Sequence, residues 1–282
     1  MRKFGLIGHP LGHSLSPQIH TRLFELSGET VDYQLYDIAP EELADKHEFL
    51  STLDGFNITI PHKVDIIGYC DRLTEGAQRY RSVNCVANGT EKLGCNTDVN
   101  GFTMSIDMLG ASLASDVLLI GCGGVGRMIA IETALSGGRL TIAALRSDEA
   151  LASQAVAEIK AQKPDAQVTV VLTDGTLDAG CFGGSCPRFD LLVNASPIGM
   201  YPKTDRMPCA PEILDNVSYV FDVVYNPCET LLAKTAREKG KKAMTGMAML
   251  VLQAVAAHEI WDGASYKKED IDKLIADMEA LV

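Results

Sequence analysis

The chain has 282 residues, 46% hydrophobic and 22% charged, a balance that supplies buried cores and excludes a disordered protein. At this length two domains are expected. Its formal net charge of −12 repels phosphate backbones and anionic lipid, and no basic run offsets it, so nucleic-acid and membrane-surface partners are disfavoured.

The opening Met1-Arg2-Lys3-Phe4-Gly5 leads at once into a strand, Phe4 to Gly8, without a signal-peptide pattern, and a cytoplasmic location is expected. A helix follows over Pro17 to Ser27, opened by Ser16 and Pro17, and then a strand over Val31 to Tyr36, which makes a βαβ unit. Glu41 to Leu50 reads as a helix, Gly55 to Ile60 as a β-branched strand and Pro61 to Tyr69 as a turn with a short helix. Val83 to Ala87 and Lys92 to Asn96 read as strands, and Asp98 to Leu109 as a helix ended by Gly110.

A polar connection then suggests a boundary near residue 103. Beyond it, strands at 116 to 120, 139 to 145, 167 to 172, 190 to 194 and 218 to 222 alternate with helices at 124 to 136, 148 to 162 and 229 to 239. The segment 174 to 187 reads as a loop, and Thr245 to Trp261 and Lys267 to Leu281 as closing helices. The longest apolar stretch, Met247 to Ala257, is too short to span a bilayer and carries Gln253. The fold class expected is α/β, with an N-terminal α/β domain over 1–103, completed by helices within 247–282, and a Rossmann-like doubly wound nucleotide-binding domain over 104–246.

Gly121-Cys122-Gly123-Gly124-Val125-Gly126 has the G-x-G-x-x-G spacing between a strand and a helix, the context in which such a turn holds a dinucleotide pyrophosphate. The end of the next strand governs the ribose, because a carboxylate there accepts its hydroxyls and repels a 2′-phosphate. Arg146 and Ser147 stand at that end and favour NADP, while Asp148 and Glu149 follow directly and keep NAD open; Arg146 as a merely solvated side chain is the plain alternative. The eight cysteines show no Cys-x-x-Cys pair and no zinc spacing with histidine, so reduced thiols and no metal are expected.

Four polar clusters sit where strands end: Gly8 to Pro17, Asn57 to Lys63, Ser82-Val83-Asn84 and Gly94 to Asp98. Taken singly, Ser16 is a helix cap, Lys63 a solvated side chain and Asn84 a backbone partner. Together, in the order H-S-x-S-P, N-I-T-I-P-x-K, V-N, N-T-D and a late glycine turn, they resemble the shikimate dehydrogenase family over nearly the whole chain. Asn194 to Met200, Asp222 to Tyr225 and Gly246 to Gln253 extend the likeness.

The resemblance implies reversible NADPH-dependent reduction of 3-dehydroshikimate to shikimate, a small-molecule substrate, with Lys63 and Asp98 as the catalytic pair. It implies Ser14, Ser16, Thr59, Lys63, Asn84, Asp98, Tyr225 and Gln253 around the substrate, with Asn57 and Asn96 left open. On the cofactor side it implies Gly121, Cys122, Gly123, Gly124, Val125, Gly126, Arg146, Ser147, Val223 and Gly246, with Glu75 near the carboxamide, and a monomer or homodimer. His9, His13 and His62 receive no role. The alternatives are an NAD-dependent quinate/shikimate dehydrogenase and a regulatory protein that binds nucleotide without turnover, since fold alone does not establish function.

Overall fold

The computed structural model describes residues 1–12 and 14–282 of the protein; His13 lies outside the described residues. The chain divides into two compact units, residues 1–101 with 250–278, and residues 102–249 with 279–282.

The first unit is built on β1 (Lys3–Gly8), β2 (Asp32–Asp37), β3 (Gly55–Ile58), β4 (Arg72–Leu73), β5 (Cys85–Asn88) and β6 (Lys92–Cys95), in the order β2-β1-β3-β5-β6-β4. β1 pairs parallel with β2 and β3, and β5 runs antiparallel to both β3 and β6. The period of two along β1 sends Phe4 and Leu6 to one face, against Phe24 of α1 (Ser16–Leu26), and Ile7 to the other, into a core with Phe56, Ile58, Ile66 and Val86. The helix expected over residues 41 to 50 is two 3₁₀ turns followed by α2 (His47–Leu50), because Pro40 opens the segment with a tight turn and no long apolar stripe sustains an α-helix there. Ser16 is not a cap: the N-cap position falls on Leu15 with no side-chain bond, and the Ser16 N–H donates to Ser14 Oγ at 3.2 Å.

Late in the chain, α8 (Met247–Asp262) contributes residues 250 onward to this unit. It is apolar nearly all round, as a helix enclosed by a core must be, and Val251, Ala254 and Ala257 are completely buried. Its Trp261 rests on Phe4 with ring centroids 4.8 Å apart and donates Nε1–H to the Val86 carbonyl at 2.9 Å. A final helix, α9 (Lys268–Glu279), buries Leu274, Ile275 and Met278 along one stripe.

The second unit holds β7 (Asp116–Ile120), β8 (Arg139–Leu145), β9 (Val168–Thr173), β10 (Phe189–Asn194), β11 (Val217–Asp222) and β12 (Lys242–Thr245), all parallel, in the order β12-β11-β10-β7-β8-β9. Val117, Leu118 and Leu119, and likewise Leu191, Leu192 and Val193, are wholly buried, the continuous apolar runs of strands covered on both faces. The connections include α5 (Gly124–Leu135), α6 (Glu149–Gln162) and α7 (Leu231–Glu238), and the order reverses between β7 and β10, where an open sheet of this kind forms its ligand crevice. β12 is a strand not expected from the sequence. The loop after β9 includes a 3₁₀ turn, Ala179–Phe182, and is fastened by a parallel bridge between Leu177 and Cys209.

Among the described residues no helix is long and apolar enough to cross a membrane.

Candidate functional site

In the first unit, topology gathers the polar clusters at one sheet edge. β1 and β3 are parallel with Ile7 opposite Ile58, so the segments leaving both strands start side by side, and His9 N–H donates to the Ile60 carbonyl at 3.0 Å. β5 is antiparallel to β3, so its entry lies at the exit of β3, where Ile58 N–H bonds the Asn84 carbonyl at 2.9 Å. β6 is antiparallel to β5, which returns Asn96-Thr97-Asp98 to the same edge; Asn84 N–H bonds the Cys95 carbonyl at 3.0 Å.

Lys63 is fixed from both sides along the chain. His62 is completely buried with Nε2 2.6 Å from the Ile38 carbonyl, a contact that requires the Nε2–H tautomer. The Lys63 carbonyl accepts Val83 N–H at 2.7 Å. Lys63 Nζ then donates to Asp98 Oδ2 at 2.7 Å, with the two side chains 27% and 19% exposed. Asp98 opens α4 (Asp98–Leu109), its N–H bonds Asn96 Oδ1 at 3.1 Å, and its other carboxylate oxygen accepts from Asn84 Nδ2 at 2.8 Å. The ammonium is thus set by a carboxylate that is itself set by an amide and a helix start, the preorganisation expected of a proton-transfer pair.

Thr97, which sequence reading passed over although the N-T-D cluster contains it, is the joint of this network. Its N–H bonds Asn84 Oδ1 at 2.7 Å, and its hydroxyl accepts from Asn84 Nδ2 at 3.0 Å and lies 3.3 Å from Gln253 Oε1 of α8. Because Asn84 donates into the hydroxyl, the hydroxyl's own proton is available for an outward bond to Gln253 Oε1, and Gln253 Nε2 turns to the Leu250 carbonyl at 3.0 Å. Tyr33 was missed as well: buried, its hydroxyl donates to Asn57 Oδ1 at 2.8 Å, and Asn57 Nδ2 reaches the Asn84 carbonyl at 3.4 Å. An alternating strand tyrosine carries no polar signal in the sequence, so only the fold discloses this role.

Ser16 is buried, Ser14 and Thr59 are half-buried, and Thr59 N–H is held by the Ile7 carbonyl at 2.9 Å. His9 serves the loop after β1: its Nδ1 lies 2.7 Å from Asp37 Oδ1, and Leu11 N–H takes the other oxygen at 3.1 Å. These contacts hold the Asp37 carboxyl below its usual range, the bond to His9 first. Glu75 stands on α3 (Glu75–Tyr80), ion-paired with Arg79 one turn on.

The second unit offers a backbone cradle at the exit of β7. Gly121 has φ +94°, where a Cβ would stand 2.9 Å from the Ser196 nitrogen, and a Cβ at Gly126 would run into the Gly121 carbonyl. At Gly123 and Gly124 nothing lies within 4 Å, so the turn is closed beneath and open above, at the start of the twelve-residue α5. That shape fits a dinucleotide pyrophosphate facing helix N–H groups. Cys122 is buried, and burial raises its thiol pKa; all eight cysteines are free.

Across the sheet, Asn194 and Asp222 end neighbouring strands in register. Asp222, fully buried, accepts from Asn194 Nδ2 at 2.9 Å, Val224 N–H at 3.1 Å and Thr230 Oγ1 at 2.7 Å, yet burial outweighs these bonds and pushes its carboxyl up to about 6. It braces the segment bearing Val223 and Tyr225, and Gly246 N–H bonds the Val224 carbonyl at 3.0 Å. Tyr225 is 38% exposed. At the exit of β8, Arg146 Nε donates to Asp174 Oδ1 at 3.0 Å and Ser147 Oγ to Asp148 Oδ1 at 3.3 Å.

Residues 6–86 match the family described as the shikimate dehydrogenase substrate binding domain. The NADP(+)-dependent shikimate dehydrogenase of Shouchella clausii is 36% identical over 97% of this chain and 98% of its own length. A crystal structure of a shikimate dehydrogenase in complex with NADP+ superposes with a TM-score of 0.84 at 31% identity, covering 98% of this chain and 95% of that one. The shikimate 5-dehydrogenase of Thermus thermophilus, solved with NADP(H) and shikimate, gives 0.83 at 27% identity, covering 98% and 99% of the two chains.

Proposed function

The chain belongs to the shikimate dehydrogenase family, and from that premise we propose that it catalyses the reversible NADP-dependent interconversion of shikimate and 3-dehydroshikimate in aromatic amino acid biosynthesis. The observation that carries this reading is the bond from Lys63 Nζ to Asp98 Oδ2 at 2.7 Å, with Asn84 on the second carboxylate oxygen. NADP, when bound, accepts or supplies the hydride. In oxidation Lys63 as the neutral amine takes the proton from the substrate hydroxyl as its C–H leaves as hydride; in reduction the ammonium returns that proton to the forming alkoxide. Asp98 aims the lysine, whose ammonium also stabilises developing negative charge on the ketone oxygen.

Ser14, Ser16, Thr59, Asn84, Tyr225 and Gln253 are proposed to hold the substrate's carboxylate and hydroxyls, all being donors or acceptors of the right kind. The turn Gly121 to Gly126, with Arg146, Ser147, Val223, Gly246 and Glu75, is proposed to hold the cofactor. Most of the proposed substrate groups lie in the first unit and most of the proposed cofactor groups in the second, in a cytoplasmic monomer or homodimer. A second reading, an NAD-using quinate/shikimate dehydrogenase, is favoured by the acidic residues Asp148, Glu149 and Asp174 around Arg146.

Initial rates with shikimate and quinate, each with NADP+ and NAD+, decide between them. The fastest turnover is expected with shikimate and NADP+. Faster turnover of quinate with NAD+ establishes the second reading, and no oxidation under any of the four conditions refutes both.

A further inference from the structure

Both side chains positioned to meet a 2′-phosphate already carry an acidic partner, Arg146 with Asp174 and Ser147 with Asp148. The arginine pair is written into the sheet. β8 and β9 run in register with Leu145 opposite Thr173, so Arg146 and Asp174 are the next residues out of neighbouring strands. The turn that presents Asp174 is tied back by Gly175 N–H to Thr173 Oγ1 at 3.1 Å and by the Leu177 bridge to Cys209. Glu149 also acts on the same guanidinium.

The bond uses Nε, which leaves both Nη groups of Arg146 outside it. Asp174 therefore does not block the arginine geometrically; it offsets its charge and sets a negative group beside any phosphate the Nη edge would grip. The pair is open to water, with side chains 60% and 79% exposed, so the effect is moderate and screened by salt.

We propose that Asp174 is a cofactor-discriminating residue, which weakens the grip of Arg146 on a 2′-phosphate and narrows the margin by which the protein prefers NADP to NAD. This rests on the dinucleotide reading of the second unit and adds a determinant to it. The loop from 174 to 187 thereby gains a function at its first residue.

The experiment is calorimetric titration of the full chain with 2′,5′-ADP and with 5′-AMP, for the parent, Asp174→Asn and Arg146→Gln. Asparagine keeps an oxygen for Arg146 Nε and removes only the charge. Asp174→Asn is expected to bind 2′,5′-ADP about two- to five-fold tighter with 5′-AMP affinity unchanged, the gain shrinking as salt rises. Arg146→Gln is expected to bring the two affinities together. An Asp174→Asn protein whose ratio of affinities is unchanged or lowered overturns the proposal, as does an Arg146→Gln protein that keeps the parent ratio. Failure of the parent to oxidise shikimate, with these titrations as expected, would instead strike the proposed function alone.

Discussion

The two units meet their ligand chemistry with opposite materials. In the first, side chains of Lys63, Asn84, Thr97 and Asp98, from three separate segments, and Gln253, from a helix more than a hundred residues later, are bonded to one another before any ligand arrives, and Asn84 and Thr97 are almost wholly inaccessible. In the second, the cradle is glycine backbone, and the side chains that would choose between nucleotides lie exposed beside carboxylates. A buried network has few alternative arrangements and loses much when one member is removed, whereas a solvated pair is screened and replaceable. Substitutions should therefore cost most in the first unit and shift preference, rather than competence, in the second.

The sharpest test removes the proposed proton carrier. Lys63→Ala is expected to lower kcat for shikimate oxidation by about 10²- to 10⁴-fold, while NADP+ still binds as judged by titration. A variant within about threefold of the parent would break the comparison at its strongest point.

Acid separates the units next. His20 and His258 of the first unit are held neutral by burial, His258 down to about 3, with Arg2 adding to the effect, and their rings meet at 3.0 Å. Folded values below the unfolded ones give stability that is present above about pH 6.5 and lost as pH falls. Asp222 has the reverse sign: its folded value, about 6, exceeds 3.8, so its contribution is present at low pH and lost as pH rises through 6. Between pH 6.5 and 4.5 the first unit should lose roughly 2 kcal/mol through His258 while Asp222 favours the second by roughly 2 kcal/mol. Hydrogen exchange, corrected for intrinsic rates, should show protection in β1 and β3 falling relative to β10 and β11 over that window; parallel loss in both would contradict the assignment.

A smaller effect is expected at the joint. Thr97→Val removes one buried hydroxyl, leaving Asn84 and Gln253 each short of a partner, and should raise KM for shikimate about tenfold with kcat within about twofold. Thr97→Ser should restore KM. A fall in kcat at unchanged KM would mean that Thr97 acts on the proton-transfer pair instead of on the substrate amides.

The sequence made some of this legible for identifiable reasons. Strands buried on both faces read as uninterrupted apolar runs, so β7, β8 and β10 stood out, and α4 was bounded by Asp98 and Gly110, which are strong start and stop signals. The glycine turn was legible because its spacing is what a tight strand-to-helix turn with close backbone contacts at Gly121 and Gly126 requires. The short strand β12, Lys-Ala-Met-Thr, has no alternation to announce it and exists through its pairing with β11. The Tyr33 bond to Asn57 and the Asp222 bond to Asn194 were hidden for the same reason: each joins residues 24 or 28 apart whose meeting depends on strand order.

Helix α8 has one more consequence. The β-strands of the first unit leave the ribosome early, but the helix that carries Trp261 to Phe4 and Gln253 to Thr97 is made only after the whole nucleotide-type sheet, residues 116 to 245, has been synthesised. The half of the molecule translated first is the half completed last, and its growing sheet must wait through nearly 150 residues of another unit's synthesis for its closing helix. During that wait the surface later covered by α8 has no cover, and synthesis of α8, rather than of the first strands, completes the first unit.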